Sequence, residues 1–220
     1  MSGREQGVCG FRYGRKVPGA KTRNTLRYDA IVLSGGEGTR LGGVDKAMLE
    51  VGGVPLLDAA IAATTAARNT VVVGPTRPTA RAVIWTEEEP TGGGPAAGII
   101  AGLTALAGQR STNEWCVVIA VDQPGVAHVL PTLLDAAAHT TPEVEGLCPH
   151  DSRGHEQWLL AAYRTQPLRA ACEDLGTGHN VSVKRLVSDL RVEQISAPLE
   201  HLGDINTWAD HEAWSTRARS

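Results

Sequence analysis

Apolar residues recur along the chain in two alternating kinds of run, and this alternation predicts a layered α/β fold. Short continuous apolar runs, typical of buried strands, lie at 29–33, 70–73, 82–85, 115–121, 146–148, 158–163 and 191–195. Segments with apolar residues at helical spacing lie between them, at 55–67, 96–107, 129–139, 166–175, 181–190 and 207–214. Strands that alternate with helices predict a mostly parallel sheet covered by helices on both faces.

A glycine-rich stretch, LSGGEGTRLGGVDK at 33–46, follows the first predicted strand. Ligands of open α/β sheets bind at the carboxyl ends of strands, which is where this stretch lies. Glycine buries no side chain, so five glycines here indicate that the backbone closely approaches a ligand. The N–H groups of Gly35, Gly36 and Gly38 can bind an anion, and Arg40 and Lys46 can neutralise a polyphosphate.

Two familiar phosphate-binding motifs do not match this loop. Gly38 and Gly43 have the separation of a P-loop, but Val44 stands where that motif requires lysine. Gly36 and Gly38 begin a dinucleotide fingerprint, but Leu41 replaces its third glycine. The sequence therefore argues against a P-loop GTPase and against a nicotinamide-dependent enzyme.

A second chemical signal is Asp122, which directly follows the apolar run 117–121. A carboxylate at the end of a buried strand is costly unless it meets water, a partner or a metal ion. Magnesium binds one or two carboxylates together with substrate phosphates, which suits a position beside the glycine loop. A helix or turn cap is the alternative interpretation of a lone aspartate.

Together these segments resemble a known family. The motifs are LSGG at 33–36, RLGGVDK at 40–46, GPAAG at 94–98, DQP at 122–124 and GDINT at 203–207. They are similar to the motifs of molybdenum cofactor guanylyltransferases, the MobA-like members of the nucleotidyltransferase superfamily. The resemblance extends from about residue 28 to the C-terminus. Asp204 stands where the late N-x-N-T motif of the family has its first asparagine.

The resemblance implies a three-layer Rossmann-like nucleotidyltransferase fold, with 27–220 as a single domain. It also implies transfer of GMP from Mg-GTP to molybdopterin with release of pyrophosphate. Lys46 and Arg40 would act on the phosphates, and Asp122 with Asn206 would hold the Mg²⁺ cofactor. The implied nucleotide-binding residues are Leu33, Ser34, Gly35, Gly36, Arg40, Lys46, Gly74, Glu88, Gly94, Pro95 and Asp122.

The pterin substrate is expected to contact the segment around His155 and Gln157. His150 and His155 bracket a polar loop that could suggest a metal, but no third ligand is spaced with them, which favours a substrate loop or plain surface. Asn180 is most simply the N-cap of the helix predicted from residue 181, with contact to the pterin phosphate as the alternative.

Two departures from the family pattern affect the choice of base. Gly74 replaces an asparagine that often follows the second strand, and three glutamates at 87–89 compete for the acidic position before GPAAG, of which Glu88 is preferred. Guanine specificity then rests on the GGxDK ending alone. A molybdopterin cytidylyltransferase, another small-substrate nucleotidyltransferase and a non-catalytic nucleotide-binding homologue remain alternatives. Retention of Arg40, Lys46 and Asp122 argues against the last.

Composition and charge narrow the possible partners. The 220 residues are 42% hydrophobic, and no apolar run reaches the roughly 20 residues that span a membrane. Residues 1–27 carry seven basic side chains and one glutamate, so 1–26 is expected to be a disordered basic tail. The remaining chain is acidic and would repel nucleic acid.

Location and further partners follow from weaker signals. Four scattered cysteines without a C-x-x-C pair favour reduced thiols and a cytoplasmic protein. GTP and molybdopterin are the expected small-molecule substrates, and the resemblance adds transient contact with molybdoenzymes or their chaperones.

Overall fold

The computed structural model describes residues 26–36 and 41–219. Almost all of the predicted basic tail at 1–26 and the candidate phosphate ligand Arg40 therefore lie outside the described residues. The strands are β1 Tyr28–Leu33, β2 Glu50–Val51, β3 Val54–Pro55, β4 Thr70–Val73, β5 Ile84–Thr86, β6 Trp115–Ala120, β7 Gly146–Pro149, β8 Leu160–Arg164 and β9 Val192–Ile195. The α-helices are α1 Leu56–Ala63, α2 Pro95–Gly108, α3 Val126–His139, α4 Thr165–Glu173, α5 Val183–Leu186 and α6 Trp208–Arg217.

A seven-stranded sheet in the order β5-β4-β1-β6-β8-β7-β9 forms the centre of the fold. Strand β8 pairs antiparallel with both of its neighbours, whereas the other pairs in this sheet are parallel. The prediction of a mostly parallel sheet is thus confirmed. Strand β1 lies between β4 and β6, and all six of its residues are buried, as expected of a strand covered by helices on both faces.

Side chains of β1 alternate between two apolar cores. Ala30 and Val32 pack with residues of α1, α3 and α6 on one face of the sheet. Ile31 and Leu33 pack with residues of α2, α4 and α5 on the other face. Because successive strand residues point to opposite faces, this alternation produces the three layers that the sequence resemblance implied.

Helix α2 lies unusually close to β1 because two of its glycines face the strand. A β-carbon at Gly98 would lie 3.0 Å from Leu33 Cδ2, and one at Gly102 would lie 2.7 Å from Ile31 Cγ2. The GPAAG segment therefore has a packing role in addition to its place beside the loop after β1. This close approach brings the N-terminus of α2 to the carboxyl end of β1.

The main differences from the predicted elements lie in α1, in α5 and in the β2–β3 hairpin. Helix α1 ends at Ala63, four residues before the predicted end, where the Thr64 hydroxyl donates to the Ile61 carbonyl and pairs with the Thr70 hydroxyl. Helix α5 covers four residues, and turns replace the remainder of the predicted 181–190 helix. The hairpin of β2 and β3 was not predicted, because two-residue strands contain too little periodicity to detect.

Two further observations concern membrane-spanning helices and cysteines. In the described part of the chain, no helix combines the length and the apolar character needed to cross a bilayer. Cys116, Cys148 and Cys172 are buried free cysteines. Burial raises the pKa of the Cys148 thiol to about 12, so this group is a poor nucleophile at neutral pH.

Candidate active site

A cleft of about 880 Å³ opens at the carboxyl ends of the central parallel strands. This is the position at which α/β sheets bind ligands, and the volume suits a nucleotide-sized molecule. It brings together residues that the sequence had selected from five separate segments. Those that line it are Leu33, Gly35, Gly36, Lys46, Glu88, Gly94, Pro95, Asp122 and Gln157.

Backbone hydrogen bonds fix the strand ends that form the floor of the cleft. The Ser34 N–H donates to the Val73 carbonyl at 2.9 Å, and the Val121 N–H donates to the Leu33 carbonyl at 2.9 Å. Ser34 Oγ donates to the same Val73 carbonyl at 3.0 Å. Ser34 does not itself line the cleft, and its hydroxyl ties the start of the loop to β4.

Gly74 is a second positioning residue behind the loop. Its φ of 133° lies outside the range that other residues favour, and a β-carbon there would lie 2.9 Å from Ser34 Oγ and 3.0 Å from the Gly35 nitrogen. The asparagine that the family often has at this point would therefore displace the loop after β1. In this chain Gly74 acts through that loop and does not line the cleft.

Lys46 joins the three segments that the sequence assigned to phosphate and metal. Its ammonium donates to Asp122 Oδ2 at 3.0 Å and to Asn206 Oδ1 at 2.9 Å. The ion pair is only partly accessible, with side-chain exposures of 20% for the lysine and 23% for the aspartate. The ammonium is therefore paired in the structure and not free in solvent.

The chain around Asp122 is shaped by the turn that follows β6. Gly125 is the N-cap of α3, and no side chain caps this helix, so the interpretation of Asp122 as a helix cap is wrong. A β-carbon at Gly125 would lie 2.0 Å from the His201 carbonyl oxygen, so the turn depends on a glycine here. The Ile205 N–H donates to the Asp122 carbonyl at 2.9 Å, which holds the 203–207 segment against the strand end.

Asp204 is the second carboxylate at this point of the cleft. The residue retains exposed surface, but its carboxyl group is partly withdrawn from water and lies close to the charge of Asp122. Partial burial and, secondarily, repulsion from Asp122 raise the pKa of Asp204, while a hydrogen bond from Gln123 opposes the shift. Two neighbouring carboxylates thus create a local demand for positive charge.

The donor atoms at this end of the cleft fit magnesium. Asp122 and Asp204 offer carboxylate oxygens and Asn206 offers an amide oxygen, and hard oxygen ligands are those that Mg²⁺ prefers. Within residues 26–36 and 41–219, no group of three or more His, Cys, Asp or Glu side chains forms a ready-made metal cage. Magnesium typically uses one or two carboxylates and completes its shell with phosphates and water.

Glu88 and the start of α2 form the opposite wall. Of the three competing glutamates, Glu88 lines the cleft, and its Oε1 accepts a hydrogen bond from the Gly92 N–H at 3.3 Å. Gly94 is the N-cap of α2 with a φ of 87°, and Pro95 occupies the first helical position.

The far half of the cleft carries the residues expected to face the second substrate. Gln157 lines it together with Glu156, Trp158, Ser182 and Lys184. His155 is not among the lining residues, and its ring and N–H contact the carboxylate of Asp151 instead. The half nearest α5 therefore presents a lysine and a hydroxyl that the motifs did not indicate.

Asn180 does not have the capping role predicted for it. The N-cap of α5 is Ser182, whose side chain accepts from the Arg185 N–H, because the helix begins two residues later than expected. Asn180 has a φ of 57° and donates its N–H to the Gly93 carbonyl at 2.9 Å, so its backbone braces the approach to α2. Its side chain is not part of the cleft wall.

Several residues of this region were not identified from the motifs, for different reasons. Gln123 and Asp204 stood inside recognised motifs, where the departure at Asp204 was the available signal. Lys184 and Arg77 belong to no motif, and only the fold brings them to the cleft and to its supporting loop.

Fold and site together define an α/β protein of the nucleotidyltransferase class. The model of the MobA-like NTP transferase domain matches residues 30–193. The chain therefore belongs to the MobA-like NTP transferase family.

Named relatives and solved structures are similar to it. The molybdenum cofactor guanylyltransferase of Acidiphilium cryptum is 35% identical over 113 residues, which cover 49% of this chain and 57% of that relative. Molybdopterin-guanine dinucleotide biosynthesis protein A of Archaeoglobus fulgidus has a TM-score of 0.65 at 20% identity, covering 87% of this chain and 98% of that one. The 2-C-methyl-D-erythritol 4-phosphate cytidylyltransferase of Thermus thermophilus has a TM-score of 0.62 at 18% identity, with coverages of 87% and 98%. These two structures share the fold.

Asp204 and Asp210 allow a paired test of the electrostatics in metal-free protein. The pKa of Asp204 is higher in the folded protein than in the unfolded chain. The ionised carboxylate therefore lowers the stability of the fold above the folded-state pKa, and this destabilisation is absent below the unfolded-state pKa. Asp204→Asn should therefore raise the Tm at pH 7 and leave it unchanged near pH 3. Thermal denaturation in EDTA across pH 3–7 measures this.

Asp210 is the control with the opposite sign. It accepts from the N–H groups of Asn206 and Thr207 in the capping box of α6, and hydrogen bonding lowers its pKa. The stabilisation that ionised Asp210 gives to the fold is present above the unfolded-state pKa and is lost as the pH falls through the lowered folded-state pKa. Asp210→Asn should thus lower the Tm at pH 7, and equal shifts for both variants would contradict this assignment.

Proposed function

We propose that the protein transfers GMP from Mg-GTP to the terminal phosphate of molybdopterin and releases pyrophosphate. The observation that carries the proposal is the contact of Lys46 with Asp122 and Asn206, which places the GGxDK, DQP and GDINT motifs on one point of a nucleotide-sized cleft. The similarity to a named guanylyltransferase supports the choice of reaction.

The reaction needs positioning and charge stabilisation and no protein nucleophile. An oxygen of the acceptor phosphate attacks the α-phosphorus of GTP, and the bond to the bridging oxygen of the β-phosphate breaks as pyrophosphate leaves. Gly35 and Gly36 present backbone to the nucleotide, and the ammonium of Lys46 stabilises the charge that develops on the phosphates. Arg40 is proposed to assist Lys46 there.

Asp122 and Asn206, with Asp204 beside them, are proposed to hold magnesium. The bound ion would neutralise the triphosphate and help orient it for in-line attack. In the structure the ammonium of Lys46 contacts the two oxygens assigned to the metal. We infer that the ammonium of Lys46 can leave these two oxygens and donate to the phosphates of a bound nucleotide, which would free Asp122 and Asn206 to hold the metal.

Lys184 is proposed to bind the anionic group of the acceptor. The described walls of the cleft contain four carboxylates, at Glu88, Asp122, Glu156 and Asp204, and Lys46 is already paired. A phosphate acceptor entering the far half therefore needs a further cation. Lys184 supplies one from α5, and Gln157 and Ser182 add hydrogen-bonding groups beside it.

Nucleotide preference tests the guanine assignment against its closest alternative. The structure shares its fold with a cytidylyltransferase, so the fold does not select the base. We expect GTP to bind at least ten times more tightly than CTP, ATP or UTP in the presence of Mg²⁺. Isothermal titration calorimetry measures this, and equal or tighter binding of CTP would replace guanylyl transfer by cytidylyl transfer.

Lys184→Gln tests the acceptor site, with Arg185→Gln as the matched control. Both variants remove one positive charge from α5, but Arg185 does not line the cleft. Lys184→Gln should raise the KM for molybdopterin about tenfold, because a charge-assisted hydrogen bond is worth roughly 1.5–3 kcal/mol, and should leave the KM for GTP unchanged. Steady-state release of pyrophosphate measures both constants. An equal effect of both variants would refute the role of Lys184.

A further inference from the structure

Arg77, in the connection between β4 and β5, reaches the loop that follows β1 at both of its ends. Its Nε donates to Asp45 Oδ2 at 2.6 Å, and its Nη2 donates to Asp45 Oδ1 at 3.0 Å. Its Nη1 donates to Ser34 Oγ at 3.2 Å and to the Pro75 carbonyl at 3.0 Å. The guanidinium is largely buried, with 12% of the side chain exposed.

This arrangement extends from Arg77 to the site through Asp45. Asp45 is the N-cap of the 3-10 helix Lys46–Met48, and its Oδ1 accepts from the Ala47 N–H at 3.2 Å. The carboxylate therefore sets the start of the turn that carries Lys46. A bidentate arginine fixes such a carboxylate in one orientation, which a single point charge would not do.

The same pair has an electrostatic consequence. Asp45 lies next to Lys46 in a loop proposed to meet a polyphosphate, and its carboxylate would repel that ligand if it were unpaired. Arg77 removes this negative charge from the loop by forming an ion pair. Its own donors are directed at Asp45, Ser34 and Pro75, and it does not line the cleft.

We propose that Arg77 is a positioning residue for the nucleotide: it acts by neutralising and orienting Asp45 and does not touch the ligand. The proposal rests on the proposed nucleotide site but not on the identity of the acceptor. It predicts that the loss caused by removing Arg77 depends on the presence of Asp45, and that this loss grows with the number of phosphates on the ligand.

A double-mutant cycle on nucleotide binding tests this. Arg77→Gln should weaken binding of Mg-GTP at least tenfold, because it leaves the Asp45 carboxylate unpaired beside the phosphates. Asp45→Asn keeps an acceptor for the Ala47 N–H and should weaken binding less than threefold. The double variant should bind within about threefold of Asp45→Asn. Calorimetry with GTP and with GMP measures all four proteins, and the loss in Arg77→Gln should be larger for GTP.

Arg81→Gln is the matched control, because Arg81 lies in the same connection but donates to the Ile61 carbonyl. It should bind Mg-GTP like the wild type. A double variant as weak as Arg77→Gln, or an equal loss for GTP and GMP, would overturn the proposal, as would wild-type binding by Arg77→Gln. Circular dichroism melting verifies that each variant is folded. If the wild-type protein binds no nucleoside triphosphate, the proposed function is wrong. That result differs from the results above, in which the wild-type protein binds the nucleotide and only the role of Arg77 is contradicted.

Discussion

The cleft depends on one partly buried ion pair, in which the ammonium of Lys46 is held between Asp122 and Asn206. These residues come from the loop after β1, the end of β6 and the segment before α6. Removing one partner of a buried pair leaves an uncompensated charge, which costs far more than an exposed pair contributes. The interaction thus holds together three segments that are distant in the sequence, and it can form because β1 and β6 are neighbouring parallel strands.

Negative charge is concentrated around Lys46. Asp122 and the nearby Asp204 place two carboxylates beside one lysine, and burial, followed by repulsion from Asp122, raises the pKa of Asp204. Magnesium carries two positive charges and prefers the oxygen ligands found here. Under the proposed function, Asp122 and Asn206 would hold the metal, and the ammonium of Lys46 would donate to the phosphates instead.

Much of this could be predicted from the sequence, because strong periodicity and short motifs report local structure. Strand β4 has the predicted bounds of 70–73, and Asp122 lies at the cleft as expected. The predictions fail where contacts between distant parts of the chain determine the local structure or the role of a residue. Asn180 is not the predicted N-cap, because helix α5 begins two residues later. Its N–H donates to the Gly93 carbonyl, a contact that no local pattern indicates. Arg77 was missed because its partners are 32 and 43 residues away.

The central claim is that Lys46 acts on the phosphates and Asp122 acts on the metal. Single-turnover release of pyrophosphate from GTP and molybdopterin, measured across a magnesium titration, tests it most directly. Lys46→Ala should be slowed on the order of 100- to 1000-fold at every magnesium concentration, because added metal cannot replace an ammonium on the phosphates. Asp122→Ala should be slowed as well, but excess magnesium should partly restore it. Rates near wild type in both variants would contradict the account and favour a non-catalytic nucleotide-binding protein.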